Sequence, residues 1–469
     1  MTHRLASVVV VSLAAASSAR AQPAGKQAPA DDMATFEKDL DALFVPGGLT
    51  SDGAAARAGN ASPSVRRRVA EVQAAIADAE AAELQRVPQI SAKLTAERLN
   101  SIPPFAISIP QLGVNEIIPF FTHFYDGQVN VNVNLSDYVL RYPKLVDAAH
   151  LAEDVARQTR VSAVVSAGED ARLAYYEWVR ARLQVLIAKR QLAQVRATLD
   201  QERAMFEVQR ISKADLLRIE SQEADATQTL DQLDNLSRLR EEQLRILIGA
   251  RDEEPLAVGE DIRRELAAPG AARLDDLMAR AESTRADFRV LDVGIRAKEK
   301  QRDSEKANYF PKLTVFGNVE DANPNPRVFP QSDKFTHSWY VGAGLSWTLN
   351  DALVERTNVN RLTAEADELR ADRENLVHGT RVEVLAAQQS VQLAVHSLDT
   401  SKKGLAAAEE GYRVRKELLA ADRATAVELV DAETELTRAR IAALNARVDL
   451  RVAVTQLAHA IGDDTASAR

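Results

Sequence analysis

Arg210-Ile211-Ser212-Lys213-Ala214-Asp215-Leu216-Leu217 returns 213 positions later as Arg423-Ala424-Thr425-Ala426-Val427-Glu428-Leu429-Val430. The shared pattern is R-x-[ST]-x-[AV]-[DE]-L-[LV]. The same displacement carries Arg238 onto Arg451, Gln243-Leu244 onto Gln456-Leu457, and Ile248-Gly249 onto Ile461-Gly462. Upstream, Leu135-Ser136-Asp137 is matched by Leu349-Asn350-Asp351, displaced by 214. Several matches in one order at nearly one displacement mark an internal duplication.

Each octet has the spacing of a helix capping box. The hydroxyl of Ser212 or Thr425 accepts from a free backbone N–H, and the acid three residues on, Asp215 or Glu428, reaches back to the cap. Each octet is therefore predicted to be a tight turn between two helices, its cap contributing on the order of 1 kcal/mol. After the second cap, Leu429, Leu436, Ala443, Leu450 and Leu457 recur every seven residues, and Ala432, Ala439, Ala446, Ala453 and Ala460 follow three positions later. That is a leucine–alanine heptad seam, which lets a neighbouring helix approach closely, and Gly462 ends it. The first repeat keeps its seam less strictly through Leu216, Ile219, Ala226, Leu230, Leu233, Leu244 and Leu247, interrupted by Glu223, Ser237 and Arg240. Before the first turn, a helix can run from about Asp137 to Phe206 with no proline beyond Pro143. At ~1.5 Å per residue this is roughly 100 Å, which needs lateral partners along its length.

Four segments switch to alternating periodicity, near residues 89–97, 127–135, 312–320 and 339–349. Val129, Val131 and Val133 alternate with asparagines, and Trp339, Val341, Ala343, Leu345, Trp347 and Leu349 share one face against Tyr340, Gly342, Gly344, Ser346 and Thr348. One apolar and one polar face fits a soluble sandwich or a water-filled transmembrane barrel. Trp339 and Trp347 lie eight residues apart, about 26 Å along a strand, and mark an aromatic girdle at each rim of an apolar band. The asparagine, glycine, serine and threonine of the other face suit a wetted wall. Both details favour the barrel, and four strands close one only by oligomerisation.

Composition sets the compartment. Residues 1–21 read as an export signal, with Arg4, an apolar run from Leu5 to Ala16 too short to span a bilayer, and Ala19-Arg20-Ala21 for cleavage. Its removal takes the formal charge from −9 to −11, since it holds Arg4 and Arg20 but no acid. An acidic chain does not suit nucleic acid. With no cysteine there is no disulfide, thiolate metal site or lipid-bearing N-terminal cysteine. The seven histidines show no metal-ligand spacing, and no phosphate loop or nucleophile elbow occurs. Neither an enzyme nor a cofactor is expected.

The order of helix, two strands and long helical hairpin, repeated, resembles the TolC-type outer membrane efflux protein family from about Ser64 to Gly462. The best-matching stretches are Tyr309-Phe310-Pro311, the two capped turns, and Glu428 to Arg447, ending in Asn445-Ala446-Arg447. Gln209 and Asp422 stand where the family's turns carry a glycine, and Asp351-Ala352-Leu353 replaces a glycine pair. The expected organisation is a signal peptide at 1–21, a variable and partly disordered segment at 22–63, a first repeat at 64–250 with its hairpin at 137–249, a linker at 251–272, a second repeat at 273–462 with its hairpin at 351–462, and a tail at 463–469.

The resemblance implies a mainly α fold with a transmembrane β part, in which a homotrimer shares a 12-stranded barrel continued by a periplasmic helical tube. It further implies an outer-membrane exit duct for efflux or type I secretion, set among outer-membrane lipids, with a periplasmic adaptor and an inner-membrane pump as partners. Glu428 and Asp431 match positions where acidic rings narrow the periplasmic end, though Glu428 also serves its cap. The turns, through Arg210, Ser212, Asp215, Leu216, Arg423, Thr425, Glu428 and Leu429, are the expected adaptor contacts. A periplasmic adaptor is the competing reading, but it has one hairpin and compact β-domains. A soluble coiled-coil protein is another, and lacks barrel strands.

Overall fold

A computed structural model of the chain describes residues 38–103, 105–109, 114–118, 120–266, 270, 272–421 and 423–464. The export signal, the start of the segment at 22–63, Asp422 and the end of the tail lie outside the described residues.

Strand β1 (Phe44–Leu49) leads into helices α1 (Ser51–Ala61) and α2 (Pro63–Leu84). Strand β2 (Gln89–Arg98), the hairpin β3 (Phe105–Ile109) and β4 (Val114–Ile118), and β5 (His123–Asn134) follow. A short α3 (Leu135–Leu140) turns at Arg141 into α4 (Tyr142–Glu207), and α5 (Lys213–Ile248) returns. After the linker come α6 (Leu274–Thr284), α7 (Ala286–Glu305), β6 (Lys312–Asn323), β7 (Thr336–Ser346), α8 (Leu349–Ala420) and α9 (Ala426–Ala460).

Each repeat thus has two sheet strands and one helical hairpin. The long arms run 66 residues in α4 and 72 in α8, roughly 100 Å each at 1.5 Å per residue. Among the described residues no helix is long and apolar enough to cross a membrane. The strands form one antiparallel sheet in the order β2-β5-β6-β7, so the last strand of the first repeat pairs with the first of the second.

The heptad seam is packed. Leu429, Leu436, Ala443, Leu450 and Leu457 of α9 are all buried, with Ala446, Ala453 and Ala460. Ala432 and Ala439, nearer the turn, are only half-buried. In α5, Ser237, read as an interruption, is itself buried, and the seam runs through Ile219, Ala226, Leu244 and Ile248. The main core gathers where all parts meet: Tyr175, Tyr176, Trp178 and Val179 of α4 pack with Ala54 and Ala58 of α1, Leu244 of α5, Val448 of α9, and Val258 and Ile262 of the linker.

Within the segment expected at 22–63, residues 38–63 form β1, α1 and the start of α2. Ala54, Ala55 and Ala58 give α1 a flat face that lies on α4, a pattern too alanine-rich to register as a core stripe. Beta1 is stitched to the linker by Leu49 N–H donating to the Ala257 carbonyl (2.8 Å) and Gly259 N–H to the Leu49 carbonyl (2.8 Å). A Cβ on Gly48 would stand 2.7 Å from the Ala257 oxygen, so this approach requires glycine. Beneath it, Glu260 accepts from Ser51 Oγ (3.1 Å), Tyr176 Oη (3.3 Å) and Arg451 Nε (3.3 Å), joining four parts of the chain.

Candidate functional site: an apolar sheet face and paired hairpin tips

The register sorts the sheet's side chains cleanly. Ile90 and Ala92 of β2 pair with Val131 and Val129 of β5, which pair with Gly317 and Val319 of β6, opposite Val341 and Trp339 of β7. This side is apolar across all four strands and faces outward: Ile90 is 70% exposed, Leu94 90%, Val341 70% and Leu345 72%. On the other side, Ser91, Asn130, Asn318 and Tyr340 share one row and Gln89, Asn132, Phe316 and Gly342 the next. Asn318 Nδ2 donates to Asn130 Oδ1 (2.8 Å) and to Gln128 Oε1 (3.2 Å), and Thr314 Oγ1 to Asn134 Oδ1 (3.0 Å).

Beta2 and β7 are the sheet's unpaired edges. Trp339 lies in β7 on the apolar side, 66% exposed, while Trp347 falls one residue past the strand's end and is 57% exposed. The expected fourth strand at 339–349 therefore shifts to Thr336–Ser346, because Leu349 already begins α8. The hairpin β3–β4, between the first two sheet strands, carries no turn signal of the asparagine–glycine kind and escaped the sequence reading.

At the other end of the molecule the two turns are built alike. Arg210 N–H donates to the Met205 carbonyl and Arg423 N–H to the Leu418 carbonyl, both at 2.9 Å, closing the same reversed turn after each long helix. Thr425 and Glu428 make the full capping box: Glu428 N–H donates to Thr425 Oγ1 (3.3 Å) and Thr425 N–H to Glu428 Oε2 (3.2 Å). Ser212 makes only half of one. Its Oγ accepts from Asp215 N–H (3.1 Å), but the shorter Asp215 carboxylate accepts from the serine hydroxyl itself (2.7 Å).

The predicted tip residues separate by burial. Arg210, Ser212, Asp215, Arg423, Thr425 and Glu428 are exposed. Leu429 is buried, and Leu216 packs on the cluster of Leu199, Ile219 and Ala426 that joins one tip to the other. Asp431 and Glu428 are not isolated acids. Arg218 Nη2 is 3.5 Å from Asp431, and Arg415 Nη1 is 3.3 Å from Glu428 Oε2, all four side chains being about half exposed. Sequence reasoning missed both arginines. For Arg218 a signal existed, since it occupies in the first repeat the position that Asp431 holds in the second.

Between sheet and tips, the end of α9 is clamped. His459 Nε2 lies 3.0 Å from Glu169 Oε2 of α4 and Nδ1 2.9 Å from Asp464 Oδ2. Burial opposes its charge, but the two carboxylates outweigh that and hold its pKa up at about 10. Arg285, between α6 and α7, donates to the Ala460 carbonyl (3.1 Å), and Thr284 Oγ1 to the Ile461 carbonyl (2.6 Å).

Residues 277–463 match the family model described as Outer membrane efflux protein. No curated protein matches the chain. Among solved structures the chain is similar to CusC, described with transmembrane channel formation, at TM-score 0.73 and 15% identity over 90% of this chain and 93% of that one. It is similar to the open state of the Neisseria gonorrhoeae MtrE outer membrane channel, at TM-score 0.71 and 16% identity over 88% of each chain. It is also similar to the Campylobacter jejuni CmeC outer membrane channel, at TM-score 0.70 and 13% identity over 91% and 87%. Over residues 277–463 the chain carries the outer membrane efflux protein domain, and as a whole it has the fold of the TolC-type outer-membrane channels.

Proposed function

We propose that three copies of this chain close their sheets into one barrel of 12 strands, three times the four of each sheet, and that the long hairpins continue it into the periplasm as a tube. The protein is then a passive exit duct. The observation that carries this reading is the exposed apolar side of an open-edged sheet whose other side is a hydrogen-bonded layer of asparagine, glutamine and threonine. An apolar band facing lipid and a wet lumen need that division, and three unsealed sheets gain by pairing β7 of one copy with β2 of the next.

Trp339 and Trp347 anchor the band at its two rims. With no cysteine in the chain, attachment relies on the barrel and not on a lipid. The exposed tip residues Arg210, Ser212, Asp215, Arg423, Thr425 and Glu428 meet a periplasmic adaptor, which connects the duct to an inner-membrane pump that supplies the energy. Threefold repetition gathers Asp431 and Glu428, each with its arginine partner Arg218 or Arg415, into rings at the narrow end, which favour cations once those ion pairs open. Fractionation tests the reading directly: a heat-modifiable trimer in the outer membrane, giving channels in planar bilayers, is the expected result. A freely soluble monomer overturns it.

A further inference from the structure

The polar side of the sheet is not open along its whole height. Tyr340 lies on it, opposite Asn318 and in edge contact with the Phe316 ring at 6.2 Å. The connection between β6 and β7, residues 324–335, leaves the sheet at the end away from the long helices and folds back over this side. Its anchor is Asn325, 2% exposed, whose amide donates to the Thr336 carbonyl (2.6 Å) and to Ser338 Oγ (3.3 Å). Asn325 Oδ1 in turn accepts from Arg327 N–H (2.9 Å). Arg327 is thereby set with its guanidinium 5.1 Å above the Tyr340 ring, donating to the Trp339 carbonyl (3.2 Å). Ala322 and Asp126, register partners on the same side, are buried at this level, and Asp333 ties the loop's return to His123 (3.0 Å).

The electrostatics of this level are simple. Lys93 and Glu320 share one row through Gln128, the acid of the next row, Asp126, is buried, and Glu97 of β2, across the sheet from Arg327, is exposed on this side. Arg327 is exposed, and among the described residues it is ion-paired with no carboxylate.

We propose that Arg327 is a selectivity residue of the duct: one from each copy forms a ring of positive charge at the outer mouth of the lumen, favouring anionic solutes and opposing cations there. The inference rests on the barrel reading above.

The test is the reversal potential of the purified protein in planar bilayers under a KCl gradient, for wild type, Arg327→Lys, Arg327→Gln and Arg327→Glu. Arg327→Gln is expected to move the cation-to-anion permeability ratio toward cations by about twofold, Arg327→Glu further, and Arg327→Lys little. Pyrophosphate added on the loop side should block wild type and not Arg327→Glu. If the variants do not assemble, block of the wild type from that side alone decides, and its absence overturns the proposal. Channels whose reversal potential is the same in wild type and Arg327→Glu overturn this inference alone. A wild type that forms no channel overturns the duct reading, and this inference with it.

Discussion

Arg218 and Asp431 hold the same position in the two repeats, 213 residues apart, and their side chains meet at 3.5 Å. Residues that occupy matching places in the two octet-bounded hairpins thus carry complementary charge and join the two tips.

A half-exposed pair of this kind is worth no more than about 1 kcal/mol to folding. Asp431→Ala is therefore expected to leave the melting temperature nearly unchanged while it loosens the narrow end. Conductance should rise severalfold, with greater leak of large antibiotics into cells. Arg218→Ala should do the same, because either change breaks this ion pair. Unchanged conductance and ion selectivity in Asp431→Ala would remove the gate role.

The two sides of the sheet differ in what they tolerate. Ala343→Arg, midway between Trp339 and Trp347, places a charge on the apolar side and is expected to cost about 2–4 kcal/mol if that side meets lipid, abolishing the heat-modifiable trimer. Ser91→Arg, on the polar side of the same sheet, should assemble normally. Equal assembly of both variants would remove lipid from the apolar side.

Gln209 adopts φ 59°, the one non-glycine with positive φ among the described residues. A side chain there costs on the order of 1 kcal/mol through its Cβ. Gln209→Gly is expected to stabilise the first turn by up to that amount, read as a higher denaturation midpoint with an unchanged slope. A lower midpoint would show that Gln209 makes a compensating contact at the tip.

The clamp at His459 makes stability depend on pH in a defined direction. Its folded pKa, about 10, lies above the ordinary 6.5, so the folded state binds the proton more tightly than the unfolded chain. The contribution is fully present below pH 6.5 and is lost as pH rises toward 10. His459→Gln should cost on the order of 2 kcal/mol at neutral pH and flatten the fall between those limits, measured by denaturation at a series of pH values. A variant that retains the full wild-type slope would assign it to another group.

Much of this was legible because period and spacing are local properties. The Leu429-to-Leu457 heptad and the valine–asparagine alternation of β5 each name an element within a few residues. The capping boxes were half legible: both were spelled in the sequence, but only the glutamate at 428 reaches back to its cap, aspartate being one methylene shorter. What escaped depends on distant partners. The alanine face of α1 has meaning only against α4, Arg415 and Glu428 only across the second turn, and His459 only beside Glu169. Strand ends escaped as well, since Trp347 keeps the alternation after the backbone has left the sheet.

The seam between β1 and the linker has a consequence for how the molecule is made. Ser51 and Glu260 are 209 residues apart, and Gly48 fits only against Ala257. A chain delivered from its N-terminus presents residues 44–61 long before the partner strand exists. The segment's helix can settle on α4 as that helix emerges, but β1 must wait, unpaired, until the whole first hairpin has emerged and the linker follows it. The docking of β1 then records that the first hairpin is complete.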